Sequence, residues 1–241
     1  MRITRAAAVV AGLSMVCLTA LPAQGDTYVA VANWEMDELP EAEVMSDSSG
    51  NAFDGDVGDE VVTGVVVAED NAAYRFARVK PNTPPARPEH NVVVPHDHRL
   101  NPADRDEYVV EVRLRTTNKF GNVVQKGQAG ARGGYWKIQL PLAEPSCLFR
   151  GPGGVTNAVR ARGKPIDDDN WHTIRCEATP DKVEMFVDGV FIGRNRGLTG
   201  RIANDEPVYI GGKGFCDQIK ITCDYFGGDI DYVRLEGRDA T

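Results

Sequence analysis

Apolar and polar residues alternate along much of the chain, with the period of a β-strand that buries one face. Segment 108–115 places Tyr, Val, Val and Leu at its even positions and Glu, Arg and Arg at its odd positions from 111 onward. Segments 135–140 and 173–178 repeat the alternation, with Trp136 and Cys176 on their apolar faces. Further short strands are predicted at 61–67, 73–78, 92–94, 208–210 and 230–235.

A tight hairpin is predicted at Asp188-Gly189, which lies between the apolar runs 183–187 and 190–192. This dipeptide favours a two-residue turn, because both turn positions need positive φ. No helical period stands out, and the 25 glycines and 14 prolines recur throughout. The fold class predicted is all-β, a two-sheet antiparallel β-sandwich of the jelly-roll type.

The N-terminus has the layout of a secretory signal peptide. Arg2 and Arg5 precede the apolar run 6–21, and the small-x-small site Ala-Gln-Gly ends at Gly25. The apolar run is shorter than the ~20 residues that a membrane span needs. We therefore predict a signal peptide at 1–25, a single domain at 26–241, and a secreted, extracellular protein with no membrane span after cleavage.

Charge and composition narrow the class of partner. The 241 residues carry a formal net charge of −8, with 26% charged and 42% hydrophobic residues. An acidic chain lacks the basic face that binding to nucleic acid requires. It also gains nothing from an anionic membrane surface. Acidity is compatible with cation binding, although solubility is its more general explanation.

Cysteine parity agrees with export. Cys17 lies within the predicted signal peptide, and its removal leaves Cys147, Cys176, Cys216 and Cys223. An even number of cysteines in an exported chain indicates two disulfides, and four cysteines allow three connectivities. We favour Cys147–Cys176 and Cys216–Cys223. A zinc site is the alternative, but the C-x-x-C spacing typical of such sites is missing.

A series of short motifs runs through residues 34–235. They are WEMDE at 34–38, DSSGN at 47–51, DG at 54–55, VVQKG at 123–127, GYWKI at 134–138, DNWH at 169–172, FVDG at 186–189, IGG at 210–212 and FGGDIDYV at 226–233. In their order and spacing they resemble the laminin G-like, concanavalin A-like superfamily of bacterial secreted proteins. The resemblance implies two packed antiparallel sheets. It also implies carbohydrate or protein ligands, often beside a calcium ion.

Asp231 is the candidate metal ligand. It shares the parity of Val233 and Leu235 on the last predicted strand, so its carboxylate is expected to point toward the apolar side. A buried charge needs a partner or a cation. The resemblance implies that an aspartate here helps hold a structural Ca²⁺, with backbone carbonyls as further oxygen ligands. Hydrogen bonds from backbone amides, or an arginine partner, are the alternatives.

Tyr135 is the candidate ligand-binding residue. It has the opposite parity to Trp136, which is expected in the core, and follows the glycine-rich run 127–134, a predicted hairpin loop. Loops of this kind project from the end of a sandwich, where an aromatic ring can stack on a sugar. His90, His96 and His98 form a cluster whose H-x-H spacing can ligate zinc, but solvated loop histidines are the more common case.

Catalytic signatures are weak. Glycosidases of the concanavalin A-like fold carry E-x-D-x-x-E on one strand, to supply paired carboxylates. Glu35 and Asp37 begin such a pattern, but its third acid position is Pro40. The first hypothesis is a monomeric, non-catalytic binding module for a glycan or an extracellular protein. The alternatives are a lyase or glycosidase with a different active site, and a structural envelope protein.

Overall fold

The computed structural model describes residues 28–79, 88–216 and 223–239. The predicted signal peptide at 1–25 lies outside these residues. The described part forms sixteen strands: β1 (Val29–Trp34), β2 (Val44–Met45), β3 (Gly55–Val57), β4 (Val61–Ala68), β5 (Asn71–Phe76), β6 (Val92–Val94), β7 (Arg105–Arg115), β8 (Asn122–Lys126), β9 (Tyr135–Gln139), β10 (Ser146–Arg150), β11 (Thr156–Arg160), β12 (His172–Thr179), β13 (Lys182–Val187), β14 (Val190–Arg196), β15 (Val208–Ile210) and β16 (Gly228–Asp239). Short 3₁₀ segments lie at Pro88–His90, His98–Leu100, Pro102–Asp104 and Pro141–Ala143. No helix among the described residues is long and apolar enough to cross a membrane.

The strands form two sheets of eight. The first has the order β14-β13-β12-β7-β16-β5-β4, with β1 also pairing with β16. The second has the order β11-β10-β9-β8-β15-β6-β3-β2. Neighbouring strands pair antiparallel in both sheets. The predicted all-β sandwich of two antiparallel sheets is therefore confirmed.

The central strand of the first sheet, β7, shows how the sequence alternation builds the core. Tyr108, Val110, Val112 and Leu114 are at most 1% exposed, and they belong to one apolar cluster between the sheets. Trp34 and Trp136 join the same cluster with no exposed surface. The residues between the buried positions of β7 face away from the core. This alternation gives the first sheet a chemically distinct outer surface.

The hairpin between β13 and β14 forms where the sequence predicts it. Asp188 has φ 52° and Gly189 has φ 73°, so both turn residues occupy the left-handed region. Val187 pairs directly with Val190 across the turn.

Both predicted disulfides form. Cys147 on β10 of the second sheet bonds to Cys176 on β12 of the first, so this bond crosses the core and joins the two sheets. Cys216 bonds to Cys223 within the connection between β15 and β16.

The DSSGN motif ties β1 to the chain that follows it. The carboxylate of Asp47 accepts hydrogen bonds from the backbone N–H groups of Asn33, Ser49 and Phe53 at 2.9–3.0 Å. Burial raises the pKa of Asp47, but these hydrogen bonds outweigh burial and hold the pKa below its usual range. The motif therefore has a structural role here.

Candidate functional site

The surface of the first sheet that faces away from the core is here called the outer face. Strand alternation places charged and aromatic side chains on it from β5, β7, β12, β13 and β16, and Trp171 precedes β12 at its margin. Its members include Arg75, Glu111, Arg113, Arg115, Trp171, Arg175, Glu177, Phe186, Asp229, Tyr232 and Glu236. Two pockets open on this face.

The first pocket, here called the arginine pocket, has a volume of about 440 Å³. Asp229 on β16 is the direct cross-strand neighbour of Arg75 on β5 and of Arg115 on β7. Its buried carboxylate accepts Nε–H of Arg75 at 2.7 Å and Nε–H of Arg115 at 2.9 Å. Burial raises the pKa of Asp229, but the two arginines outweigh burial and hold the pKa below its usual range. One carboxylate thus fixes two guanidinium groups side by side.

An arginine–tryptophan stack lies next to the arginine pocket. The guanidinium carbons of Arg113 and Arg115 each lie 4.9 Å from the centre of the Trp171 ring, a distance suited to cation–π contact. Trp171 is partly exposed. Its ring therefore restrains both arginines while leaving aromatic surface in contact with solvent.

Asp231 pairs with Arg113, and its side chain is 5% exposed. The prediction that this carboxylate is buried is confirmed, but the expected direction is wrong. A bulge between Ile230 and Tyr232 shifts the register of β16 against β7. Counting alternate residues across this bulge therefore assigns Asp231 to the wrong face of the sheet. Asp231 instead contacts an arginine of the outer face.

The calcium prediction at Asp231 depended on a buried carboxylate that lacked a counter-charge. Arg113 supplies that charge, and a guanidinium in contact with the carboxylate repels a divalent cation. No group of three or more acidic, histidine or cysteine ligands gathers around Asp231 among the described residues. The other carboxylate oxygen of Asp231, Oδ1, is buried and has no hydrogen-bond partner among the described residues. Arg113 therefore pairs with only part of this carboxylate, and calcium binding at Asp231 stays a prediction.

The second pocket, here called the Phe186 pocket, has a volume of about 420 Å³ and is lined by Glu111, Thr173, Arg175, Phe186 and Asp188, among others. The Arg175 guanidinium donates to Glu111 at 3.2 Å, and Tyr232 Oη donates to the other oxygen of Glu111 at 3.0 Å. Phe186 is partly exposed, and its ring lies edge-on to Phe191 at 5.5 Å. This pocket therefore combines an aromatic wall with a fixed arginine.

His172 is the first residue of β12 and follows Trp171 directly. Its Nδ1 lies 2.8 Å from Asp188 and its Nε2 lies 3.0 Å from Asp168. Burial lowers the pKa of His172, but the two carboxylates outweigh burial and raise the pKa above its ordinary value. This bridge between two loops is consistent with a structural role for His172.

A separate cluster of carboxylates on the same sheet could in principle supply paired acids. Ligand oxygens of Glu107, Glu177 and Glu184 lie within 4.8 Å of one another. Lys182 donates to Glu184 at 2.7 Å, and this hydrogen bond lowers the pKa of Glu184. A glycosidase acid needs a raised pKa, so Glu184 lacks the property expected of that role.

The three clustered histidines have separate partners. His90 has no exposed surface and packs against Tyr225 and Phe76. His98 lies 3.4 Å from Asp97. His96 Nδ1 lies 3.0 Å from Nζ of Lys126, a cation that does not fit beside a zinc ligand.

Tyr135 is 9% exposed, so its outward parity does not leave a free ring. It follows Gly134, which packs against the backbone of Arg150 and Gly151. A ligand-binding role for Tyr135 stays a prediction, and little of the ring surface is available for stacking.

The outer-face residues Arg75, Arg115 and Asp229 were not recognised as site candidates in the sequence. Asp229 falls in the FGGDIDYV motif, one position before the predicted strand at 230–235, and this position is its only signal in the sequence. The two arginines lie on strands whose alternation predicts an exposed face without indicating a pocket.

The fold has solved relatives, and the sequence matches a family model. The laminin G domain model matches residues 114–238, more than half of the chain. No curated protein matches the chain.

Among solved structures, the binding domain of Paraclostridial Mosquitocidal Protein 1 has 15% identity and a TM-score of 0.61, covering 90% of this chain and 50% of that one. The botulinum neurotoxin serotype G binding domain has 11% identity and a TM-score of 0.63, covering 88% and 48%. The serotype D ligand-binding domain, solved with N-acetylneuraminic acid, has 10% identity and a TM-score of 0.60, covering 88% and 48%. The chain spans about half the length of these structures, and the similarity concerns the fold.

Proposed function

The chain belongs to the laminin G domain family, and from this premise we propose that it is a secreted, non-catalytic binding module that takes its ligand on the outer face of the first sheet. The ligand is a glycan or an extracellular protein. Binding function fits a rigid sandwich, because strands hold side chains in place more firmly than loops do.

The observation that carries this proposal is the pair of pockets on one sheet face. They are connected along β7, where Arg115 lines the arginine pocket and Glu111 lines the Phe186 pocket. Arg113 and the Trp171 ring lie between them. Partly exposed aromatic side chains beside fixed polar groups are typical of ligand sites. The two pockets together form one elongated surface.

Binding is favoured over catalysis by the electrostatics of this surface. Two of its carboxylates are paired: Glu111 with Arg175 and Tyr232, and Asp229 with two arginines. The two arginines hold the pKa of Asp229 below its usual range, which suits ligand orientation better than proton donation. The serotype D neurotoxin domain, solved with N-acetylneuraminic acid, makes carbohydrate one reasonable class of ligand to test.

The proposed site is tested with glycan and extracellular-protein arrays probed with the purified wild-type protein and with Trp171→Ala. The matched control is Phe120→Ala, because Phe120 is 43% exposed and lies beside Gln139 and Leu140 of the other sheet. We expect saturable wild-type binding to at least one ligand, loss in Trp171→Ala, and retention in Phe120→Ala.

The opposite pattern contradicts the proposal. Equal binding by Trp171→Ala and the wild type places the ligand elsewhere, and no binding to either array removes the module hypothesis as stated. Depolymerisation of any array polysaccharide by the wild-type protein overturns the non-catalytic assignment.

A further inference from the structure

We propose that the arginine pocket is a preformed site for an oxyanion, a carboxylate, sulfate or phosphate group, bound by the guanidinium N–H groups that Asp229 leaves free. This inference deepens the proposed function and rests on it, since the pocket forms one end of the outer face. The anion is either free in solution or the terminal group of a larger extracellular ligand.

Arg75 and Arg115 both have N–H donors that Asp229 does not use. Each guanidinium group has five N–H bonds. Arg75 directs Nε and Nη2 to the Asp229 carboxylate at 2.7 and 3.0 Å. Arg115 directs Nε and Nη2 to the same carboxylate at 2.9 and 2.8 Å. Asp229 therefore occupies only part of each donor set, and the Nη1 groups of both arginines are not used by it.

Positive and negative side chains do not balance in the arginine pocket. Asp229 has one negative charge and a side chain only 6% exposed, while its two partners have two positive charges. Arg78 also lines the pocket and is exposed, and it has no ion pair within the described residues. The exposed Asp169 at the rim offsets one charge. The pocket is thus locally cationic, although the whole chain carries a formal net charge of −8.

The two arginines are held in place before any ligand binds. Arg115 is held on one side by Asp229 and packs against Trp171, 4.9 Å from its ring centre. Its side chain is still 29% exposed, and that of Arg75 is 51% exposed. Two arginines fixed side by side lose little conformational entropy on binding, and planar guanidinium groups match the geometry of carboxylate and phosphate. Gly227 and Gly228 line the same pocket, so backbone without side chains forms this part of its wall.

The test is isothermal titration calorimetry of the purified protein with sodium acetate, sulfate and phosphate, at an ionic strength held constant with sodium chloride. We expect saturable binding of at least one anion by the wild type. Arg75→Gln weakens that binding at least about tenfold, because it removes a charge-assisted donor. The relative affinities of the three probes distinguish a planar carboxylate from a tetrahedral sulfate or phosphate.

Two further variants leave the Asp229 ion pairs intact. Arg78→Gln weakens anion binding, and Asp169→Asn strengthens it, because the first removes a positive charge from the rim and the second a negative one. Arg196→Gln on β14 is the matched control, an exposed arginine outside the pocket, and it leaves binding unchanged.

The proposal is overturned if no probe binds saturably to the wild type, or if Arg78→Gln and Asp169→Asn both behave like Arg196→Gln. If array binding depends on Trp171 but none of the three anions binds, the oxyanion site is ruled out and the proposed function is retained. If anion binding depends on Arg78 but no ligand on either array binds, the oxyanion site is retained and the proposed function is ruled out.

Discussion

Replacing both Cys147 and Cys176 with alanine removes the covalent link between the two sheets. The bond closes a loop with a sequence separation of 29 residues. Loop-closure entropy for that length corresponds to about 3.6 kcal/mol of stability at 25 °C, acting mainly on the unfolded chain. Both cysteines have no exposed surface, so the lost sulfur atoms add a small cavity cost in the same direction. For a domain of this size, the expected fall in melting temperature is about 7 to 14 °C.

The assay is urea unfolding followed by tryptophan fluorescence, since Trp34 and Trp136 lie in the core between the sheets. The internal comparison is the variant with alanine at Cys216 and Cys223. That bond spans a sequence separation of 7 residues within one connection, which corresponds to about 2.4 kcal/mol. The inter-sheet variant should therefore be the less stable of the two by about 1 kcal/mol.

Two outcomes would contradict the loop-closure estimate. If the inter-sheet variant unfolds within about 1 kcal/mol of the wild type, its bond does not restrict the unfolded chain as the loop length predicts. If the short-loop variant loses more stability than the inter-sheet variant, the entropy argument ranks the two bonds wrongly.

Three other predictions concern the outer face and its charges. Arg113→Ala leaves the buried Asp231 carboxylate without its partner and lowers stability by about 2 kcal/mol in urea unfolding, whereas an unchanged midpoint contradicts the pairing. The raised pKa of His172, caused by Asp168 and Asp188, gives stability that is fully present below pH 6.5, the ordinary histidine pKa, and is lost as pH rises through the folded-state pKa. Melting of the wild type and His172→Gln between pH 5 and 8 should therefore show a difference that shrinks toward high pH, and a constant difference refutes the linkage. Because Arg113 supplies a counter-charge at Asp231, the fold should not need a cation there and EDTA should leave the melting temperature unchanged, whereas a clear fall would support calcium binding.

Strands with a clear apolar pattern could be predicted from sequence, whereas strands with a weak pattern could not. The segments at 92–94 and 208–210 coincide with β6 and β15, because short β-branched runs leave little choice of boundary. Strands β10 and β11 were not predicted from the pattern. β11 ends the second sheet, and its polar residues Thr156, Asn157 and Arg160 obscure the period of two.

The direction of Asp231 shows a limit of parity counting. A period of two holds only while a strand is regular, and a bulge adds a residue that exchanges the two faces. The bulge in β16 lies between Ile230 and Tyr232, and so directly at Asp231. Nothing in the local residue types marks this insertion, which is set by pairing with β7.

The arginine pocket could not be predicted, because it depends on the strand order. Asp229 is separated from Arg75 by 154 positions and from Arg115 by 114. The order β7-β16-β5 makes these three residues direct neighbours. Sequence alternation places the two arginines on exposed faces, but it does not specify which strands pair or that Asp229 lies between them.

Lys126 is a second feature that residue type conceals. Lysine is usually exposed, yet this side chain has no exposed surface, and burial lowers the pKa of Lys126 to about 8. Its ammonium group donates to the backbone carbonyls of Asn204 and Glu206. The motif VVQKG predicts a strand, but it does not show that the lysine holds a distant loop.

The most direct test of the outer face as the binding surface is hydroxyl-radical footprinting of the wild-type protein with a ligand found on the arrays. Bound ligand should protect Trp171, Phe186 and Tyr232 from oxidation. Phe120 and Phe215, which are 43% and 60% exposed and do not line either pocket, should stay unprotected. Protection of Phe120 or Phe215 with unchanged oxidation of Trp171 would contradict the central claim.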